Sequence, residues 1–198
     1  YHLHPPKPAA PEVYEGECTS EIVTDAARAG ALLRQFAEKE RIFLLFSADF
    51  ASVAVMDDGD TAWLFSRNAL REGYAAFLRG LCAPDIRKVT HDVKEAMHAL
   101  LEQDLPIEGF CFDTALAGYL LDATQGSDTV DRLFVQYCGS QIGLADEKEQ
   151  GETAVTANLF ARTAAVAALY DVLPGKLAEA EMTELYEQIE LPLCAVLA

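Results

Sequence analysis

Three groups of side chains have types and spacings that could bind a metal ion or move a proton. His91 and His98 stand seven residues apart, with Glu95 and Glu102 each four residues after a histidine. On one helical face, such a set could hold a cation through imidazole and carboxylate. Asp57, Asp58 and Asp60 crowd around Gly59, and Asp92 and Asp113 stand at segment boundaries. Each group also has a simpler reading. The His–Glu pairs fall on the polar side of an amphipathic helix, where i, i+4 pairs give small surface stabilisation. Asp at a hairpin tip serves the turn. Asp92 and Asp113 precede helical patterns, where a carboxylate caps free N–H groups and complements the helix dipole. No phosphate-cradling glycine loop, Ser/His/Asp elbow or Cys–His nucleophile pair occurs in the sequence. Cys18, Cys82, Cys111, Cys138 and Cys194 are odd in number and widely spaced. They are expected as reduced, mostly buried thiols rather than a disulfide or zinc framework.

The elements that must position these groups follow from apolar spacing. Thr24 or Asp25 can cap a helix whose Ala29, Leu32, Leu33, Phe36 and Ala37 recur at helical intervals. Ile42–Phe46 is five apolar residues in a row, the signature of a strand buried on both faces. Strands at Ala51–Met56 and Thr61–Ser66 follow, joined by Asp57-Asp58-Gly59-Asp60, whose Asp-Gly pair marks a hairpin. Trp63 and its aromatic neighbours are expected in the core. A helix over 70–82, a strand at Arg87–Thr90, a helix from Asp92 to Gln103 and a strand at Gly109–Phe112 come next. A helix opened by Asp113-Thr114, with Leu116, Tyr119 and Leu120 at helical spacing, and helices at 128–138, 153–173 and 178–198 complete the pattern, with a polar gap at about 139–152. A three-strand antiparallel meander followed by alternating helices and strands predicts an α/β fold with a mixed sheet flanked by helices.

Composition narrows the function classes. The 198 residues include 15 Lys+Arg and 32 Asp+Glu, a net charge of −17, with 51% hydrophobic residues. That apolar share excludes a disordered acidic tail. The longest apolar run, Ala164–Tyr170, is far short of the ~20 residues of a membrane span. Tyr1–Pro6 lacks the apolar core of a secretory signal, so a cytoplasmic location is expected. A charge of −17 repels phosphate, so if the chain meets DNA, something else must supply the attraction. Residues 1–17, with Pro5, Pro6, Pro8 and Pro11, suit a semi-rigid linker.

Three segments carry a resemblance. Thr90-His91-Asp92-Val93-Lys94-Glu95-Ala96 resembles the His-Asn-x-Lys-Tyr-Asp motif of the 3′–5′ exonuclease domain of family A DNA polymerases. Gly109-Phe110-Cys111-Phe112-Asp113-Thr114, followed by Leu116, Tyr119, Leu120 and Leu121, is similar to that domain's Gly-x-x-Phe-Asp-Thr helix start. Tyr186-Glu187-Gln188-Ile189-Glu190-Leu191-Pro192-Leu193, with Val196-Leu197, resembles the Glu-x-Ile-Glu-x-Pro-Leu-x-x-Val-Leu motif that begins the polymerase domain. The resemblance spans about residues 19–198. It implies a ribonuclease H-like fold, an exonuclease-like domain over 18–177 and the start of a polymerase domain over 178–198.

In that family, four carboxylates hold two divalent cations that activate water and stabilise the charge developing on the phosphodiester. The resemblance places the first pair at Ser47 and Asp49, the third acid at Ala96, and the last acid with its tyrosine partner at Thr163 and Leu159. Val93, Ala96, Met97, Leu100 and Leu101 form one stripe that turns Ala96 inward and leaves Glu95 facing solvent. Val155, Leu159, Thr163, Val166 and Tyr170 likewise share a face that turns Thr163 inward. One acid of four remains, with no metal or other cofactor expected in this domain.

The sequence therefore predicts a catalytically degenerate exonuclease-like domain that scaffolds a DNA-directed DNA polymerase lacking proofreading. Its partners are the polymerase domain and, through the longer protein, DNA; Mg²⁺ belongs to the polymerase. The competing expectations are an active exonuclease with relocated ligands Asp49, Asp92 and Asp113, and an independent acidic module for a basic protein.

Overall fold

The computed structural model describes residues 13–14, 18–125 and 129–198. Most of the proline-rich linker expected over 1–17 lies outside them. Within that segment, Val13–Tyr14 (β1) pairs in parallel with Gln141–Ile142 (β8).

The apolar run Ile42–Phe46 (β3) sits inside a six-stranded sheet and separates two cores. Strand periodicity sends Ile42 and Leu44 to one side, against Ala26–Ala37 (α1) and Gly73–Leu81 (α3). Phe43 and Leu45 go to the other, against Thr114–Leu121 (α5), Val130–Cys138 (α6) and Glu152–Glu179 (α8). Ser52–Met56 (β4) and Thr61–Ser66 (β5) complete the expected antiparallel meander. At its hairpin tip the Asp57 carboxylate accepts the Gly59 N–H at 2.8 Å, a turn role. Trp63 is buried edge-on to Phe36, as core. Lys88–Thr90 (β6) and Phe110–Asp113 (β7) extend the sheet in parallel beyond β3. Thr19–Ile22 (β2) closes the opposite edge, parallel to β5. The sequence pattern missed β2 because it is a short edge strand of largely exposed residues with no apolar alternation.

Asp25, rather than Thr24, caps α1. The single helix expected over 70–82 is two helices, Arg67–Leu70 (α2) and α3, because Arg71 adopts φ +54° between them. Val93–Leu101 (α4) buries Val93, Ala96, Met97 and Leu100 as expected, but Leu101 at the last turn is exposed. The polar gap holds a short helix, Glu147–Gln150 (α7). The helices expected at 153–173 and 178–198 are divided differently. α8 runs through Pro174 to Glu179, because fully buried Leu173 and Leu177 anchor the helix on both sides of the proline. The chain then breaks at Glu181, φ +58°, and continues as Thr183–Leu185 (α9), a π-helical turn at Tyr186–Glu190 and Leu191–Leu197 (α10). Among the described residues no helix is long and apolar enough to cross a membrane.

Lys88 is enclosed in the core layer beside the end of α3. Its Nζ donates to the Ile86 carbonyl at 2.6 Å and the Ala83 carbonyl at 3.4 Å, and lies 5.1 Å from the Phe110 ring centre. Gly109, at φ +81°, is required here, since a Cβ would collide with the Ile86 carbonyl and with Nζ. Burial lowers the Lys88 ammonium to about 8, opposed by the neighbouring Cys82 and Cys111. An unfolded lysine titrates near ~10.4, so the folded chain gives up this proton first. The Lys88 contribution to stability therefore rises between pH 8 and the unfolded value. Cys82, whose thiol burial pushes up to about 11, acts in the opposite direction. Urea unfolding of the parent chain and of Lys88→Met at pH 7 and pH 9.5 isolates the effect. The stability of the parent relative to the variant should increase with pH, and a pH-independent difference would refute the assignment.

Candidate functional site

Because β3, β6 and β7 run parallel, their C-terminal ends meet at one edge of the sheet, where α/β folds place ligand crevices. That edge gathers Ser47 and Asp49 after β3, His91 and Asp92 after β6, and Asp113 at the end of β7. α4 starts there, and α8 crosses the sheet over β3, β4 and β6.

Ser47 and Asp49 are spent on the β3–β4 turn. The Ser47 hydroxyl donates to the Asp49 carboxylate at 2.7 Å and accepts the Ser52 N–H at 3.0 Å. The same Asp49 oxygen accepts the Ala51 N–H at 3.1 Å. The Ser47 hydroxyl, then the Ala51 N–H, hold the Asp49 carboxyl below its usual range, and the Arg67 charge adds to this. Phe50 takes φ +58°, an uncommon conformation for an aromatic residue. Its ring packs 5.1 Å from Phe46 and its carbonyl accepts the Tyr74 hydroxyl at 2.9 Å. The turn is thus fastened to α3.

The other positions offer no charge. Ala96 is buried on α4 and Glu95 is exposed, as the stripe predicts. Thr163 is fully buried on α8, and its hydroxyl donates to the Leu159 carbonyl one turn back at 2.7 Å. Leu159 is half-buried against the second core. Val155, expected on the same inward face, is exposed, because α8 extends past the sheet there.

Asp92 and Asp113 serve the backbone. The Asp92 carboxylate caps α4 at the Glu95 N–H, 3.2 Å, with its own backbone left-handed. Asp113 is buried and accepts three main-chain N–H groups: Asp92 at 2.8 Å, Val93 at 3.0 Å and Ala115 at 2.9 Å. Burial pushes its carboxyl up, while His91 and the Val93 and Asp92 N–H groups pull it down. One side chain therefore caps the starts of both α4 and α5. His91 precedes α4 and is hydrogen-bonded through Nδ1 to the Thr114 hydroxyl at 2.8 Å. On that helix His98 pairs with Glu102 at 3.6 Å, as the i, i+4 spacing predicts, whereas His91 lies before the helix start. A groove of about 530 Å³ lies beside these residues, bounded by His91, Asp92, Leu116, Tyr119 and Leu193. The hydrogen bonding of Tyr186 to Asp113 was missed entirely, since no local signal connects residues 73 apart. All five cysteines are free. Cys82 and Cys194 are buried, Cys111 and Cys138 half-buried and Cys18 exposed.

Ser47, Asp49, Ala96 and Thr163, the positions that the resemblance compares with four acids, thus present an alcohol, one carboxylate, a methyl group and a second alcohol, with both alcohols bonded within the fold. Divalent cations require several oxygen donors and balancing negative charge. Among the described residues no three His, Cys, Asp or Glu side chains converge on a common point. This donor set does not fit a pair of divalent cations.

Comparison with known proteins agrees with the architecture. The family described as DNA polymerase I, ribonuclease H-like domain, matches residues 45–150, more than half of the chain. The chain belongs to this family. DNA polymerase I of Mycobacterium tuberculosis is 34% identical over 152 residues, covering 71% of this chain and 17% of that protein. DNA polymerase I of Mycobacterium leprae is 28% identical over 207 residues, covering 95% and 23%. The chain thus spans less than a quarter of the length of these relatives. Among solved structures, the POL domain of Pol1 from M. smegmatis, in complex with DNA primer-template and dNTP, superposes with a TM-score of 0.71. It is 25% identical, covering 87% of this chain and 30% of that one. The catalytic core of RRP6 from Trypanosoma brucei shares the fold at a TM-score of 0.69 and 17% identity, covering 93% of this chain and 54% of that one. The ribonuclease H-like expectation is met.

The carboxylates of Asp113 and Asp49 in this exonuclease-like domain can be ranked by what they hold. Asp113→Ala should cost about 2–4 kcal/mol, since it leaves buried N–H groups unpaired. Asp49→Ala, at an exposed turn, should cost less than about 1 kcal/mol. Urea unfolding of both variants checks the order, and a larger loss for Asp49→Ala would contradict these roles.

Proposed function

We propose that this chain is a catalytically degenerate 3′–5′ exonuclease-like domain of a DNA polymerase I, and that it acts as a scaffold for a polymerase without proofreading. The observation that carries the reading is the chemistry at Ser47, Ala96 and Thr163. Three of the four places that would grip cations bear no charge, and the two hydroxyls are committed to the Asp49 carboxylate and to the Leu159 carbonyl. Metal-assisted phosphodiester cleavage depends on cations that stabilise developing charge, and 1.36 kcal/mol of lost stabilisation is about tenfold in rate.

The remaining chemistry belongs to the longer protein. Residues 178–198 would begin the polymerase domain, whose Mg²⁺ would serve nucleotidyl transfer during DNA replication and repair in the cytoplasm. The similar M. smegmatis structure, a POL domain with primer-template DNA and dNTP, supports such an arrangement. So does a stripe of exposed apolar side chains, Leu185, Ile189, Leu193, Val196 and Leu197, suited to burial against a following domain. With a charge of −17, this domain contributes no attraction to DNA, which the polymerase domain would supply.

Incubating the purified chain with a 5′-labelled single-stranded oligonucleotide and Mg²⁺ or Mn²⁺ should give no shortening, even at high protein concentration. Mn²⁺-dependent shortening that Asp49→Ala or Asp92→Ala abolishes would establish instead an exonuclease with ligands drawn from Asp49, Asp92 and Asp113. In the full-length protein, extension of a mismatched primer should exceed its removal.

A further inference from the structure

Among the described residues β7 is the last strand on its side of the sheet, and no neighbouring strand pairs with its outer main-chain groups. At Asp113 both are taken by one side chain from the far end of the sequence. The Tyr186 hydroxyl accepts the Asp113 N–H at 2.6 Å and stands 3.2 Å from the Asp113 carbonyl, to which it donates. The Tyr186 ring is buried against Phe112, with centroids 5.0 Å apart. Tyr186 opens the π-helical turn Tyr186–Glu190, a wide and rare backbone form that is found most often at functional positions.

The same Asp113 reaches the other way with its carboxylate, to the N–H groups of Asp92, Val93 and Ala115. A single buried residue is therefore held by the C-terminal segment through its main chain and itself holds the starts of α4 and α5 through its side chain. Shifting the backbone of Asp113 moves the carboxylate, and hydrogen bonds weaken steeply with misalignment.

We propose that Tyr186 and Asp113 form a latch that couples the C-terminal segment 183–197 to the starts of α4 and α5. α10, immediately beyond the π turn, carries the exposed Leu193, Val196 and Leu197. Leu193 and Leu197 also line the groove beside His91 and Asp92, so whatever grips that stripe acts on the groove directly as well as through the latch. The coupling does not depend on the proposed loss of nuclease activity, because it rests only on contacts within this chain.

Amide hydrogen exchange on the 198-residue chain and on Tyr186→Phe tests it. The variant keeps the ring and loses both hydroxyl bonds. Exchange should accelerate about tenfold, as expected for roughly 1–1.5 kcal/mol of hydrogen bonding, at Leu191–Leu197. It should accelerate equally at Asp92, Val93 and Ala115, which Tyr186 does not bond. Amides of α1 and β4 should keep their rates. Acceleration confined to Asp113 and the C-terminal segment, or spread uniformly over the chain, would overturn the latch. A measurement on the unmodified chain decides independently of the variant. In sub-denaturing urea, the amides of Asp92, Val93 and Ala115 should share one opening free energy with those of 191–197, and distinct values would overturn the proposal.

Discussion

The strand Ile42–Phe46 is the constraint on which the architecture rests. Buried on both faces, it needs a layer of helices on each side, which separates the α1/α3 core from the α5/α6/α8 core. Its alternation also decides what the two layers can share. Ile42 and Leu44 are interior to one, Phe43 and Leu45 to the other, so a register slip of one residue would exchange all four between the cores. The parallel pairing of β6 and β7 beyond it then fixes a common edge for their C-terminal ends. The positions compared with catalytic acids are located by that edge and by the helices crossing it.

Within this frame the side chains at the edge are engaged in satisfying the fold itself. A buried hydroxyl without a partner is costly, and Thr163 avoids the cost by bonding back to its own helix. Ser47 does the equivalent in the turn, where it also orients Asp49. Asp113 shows the contrast: a carboxylate remains where three main-chain N–H groups surround it, a role independent of any metal.

Much of this was legible in the sequence because its causes are local. The apolar run of β3, the Asp-Gly hairpin, the caps at Asp25, Asp92 and Asp113, and the inward stripe that buries Ala96 all depend on neighbours within a few residues. Elements governed by distant packing were not. β2 is a strand only because β5 lies beside it, α8 survives Pro174 because of Leu173 and Leu177, and His91 turns to Thr114 rather than joining His98. The partners of Ser47 and Thr163 are local, Asp49 two residues on and Leu159 one turn back, but which of several neighbouring acceptors each hydroxyl takes is set by the folded backbone. The meeting of Tyr186 with Asp113 is non-local.

The chemistry at Ala96 and Thr163 has an electrostatic consequence. Four carboxylates packed together repel one another whenever their counter-ions depart, so such a pocket ties the cohesion of its surroundings to the supply of cations. A methyl group and an inward-bonded alcohol carry no such strain. On the proposed reading the folded state would be free of that dependence, a chelating agent would have nothing here to withdraw, and the domain would keep its shape where divalent ions run scarce.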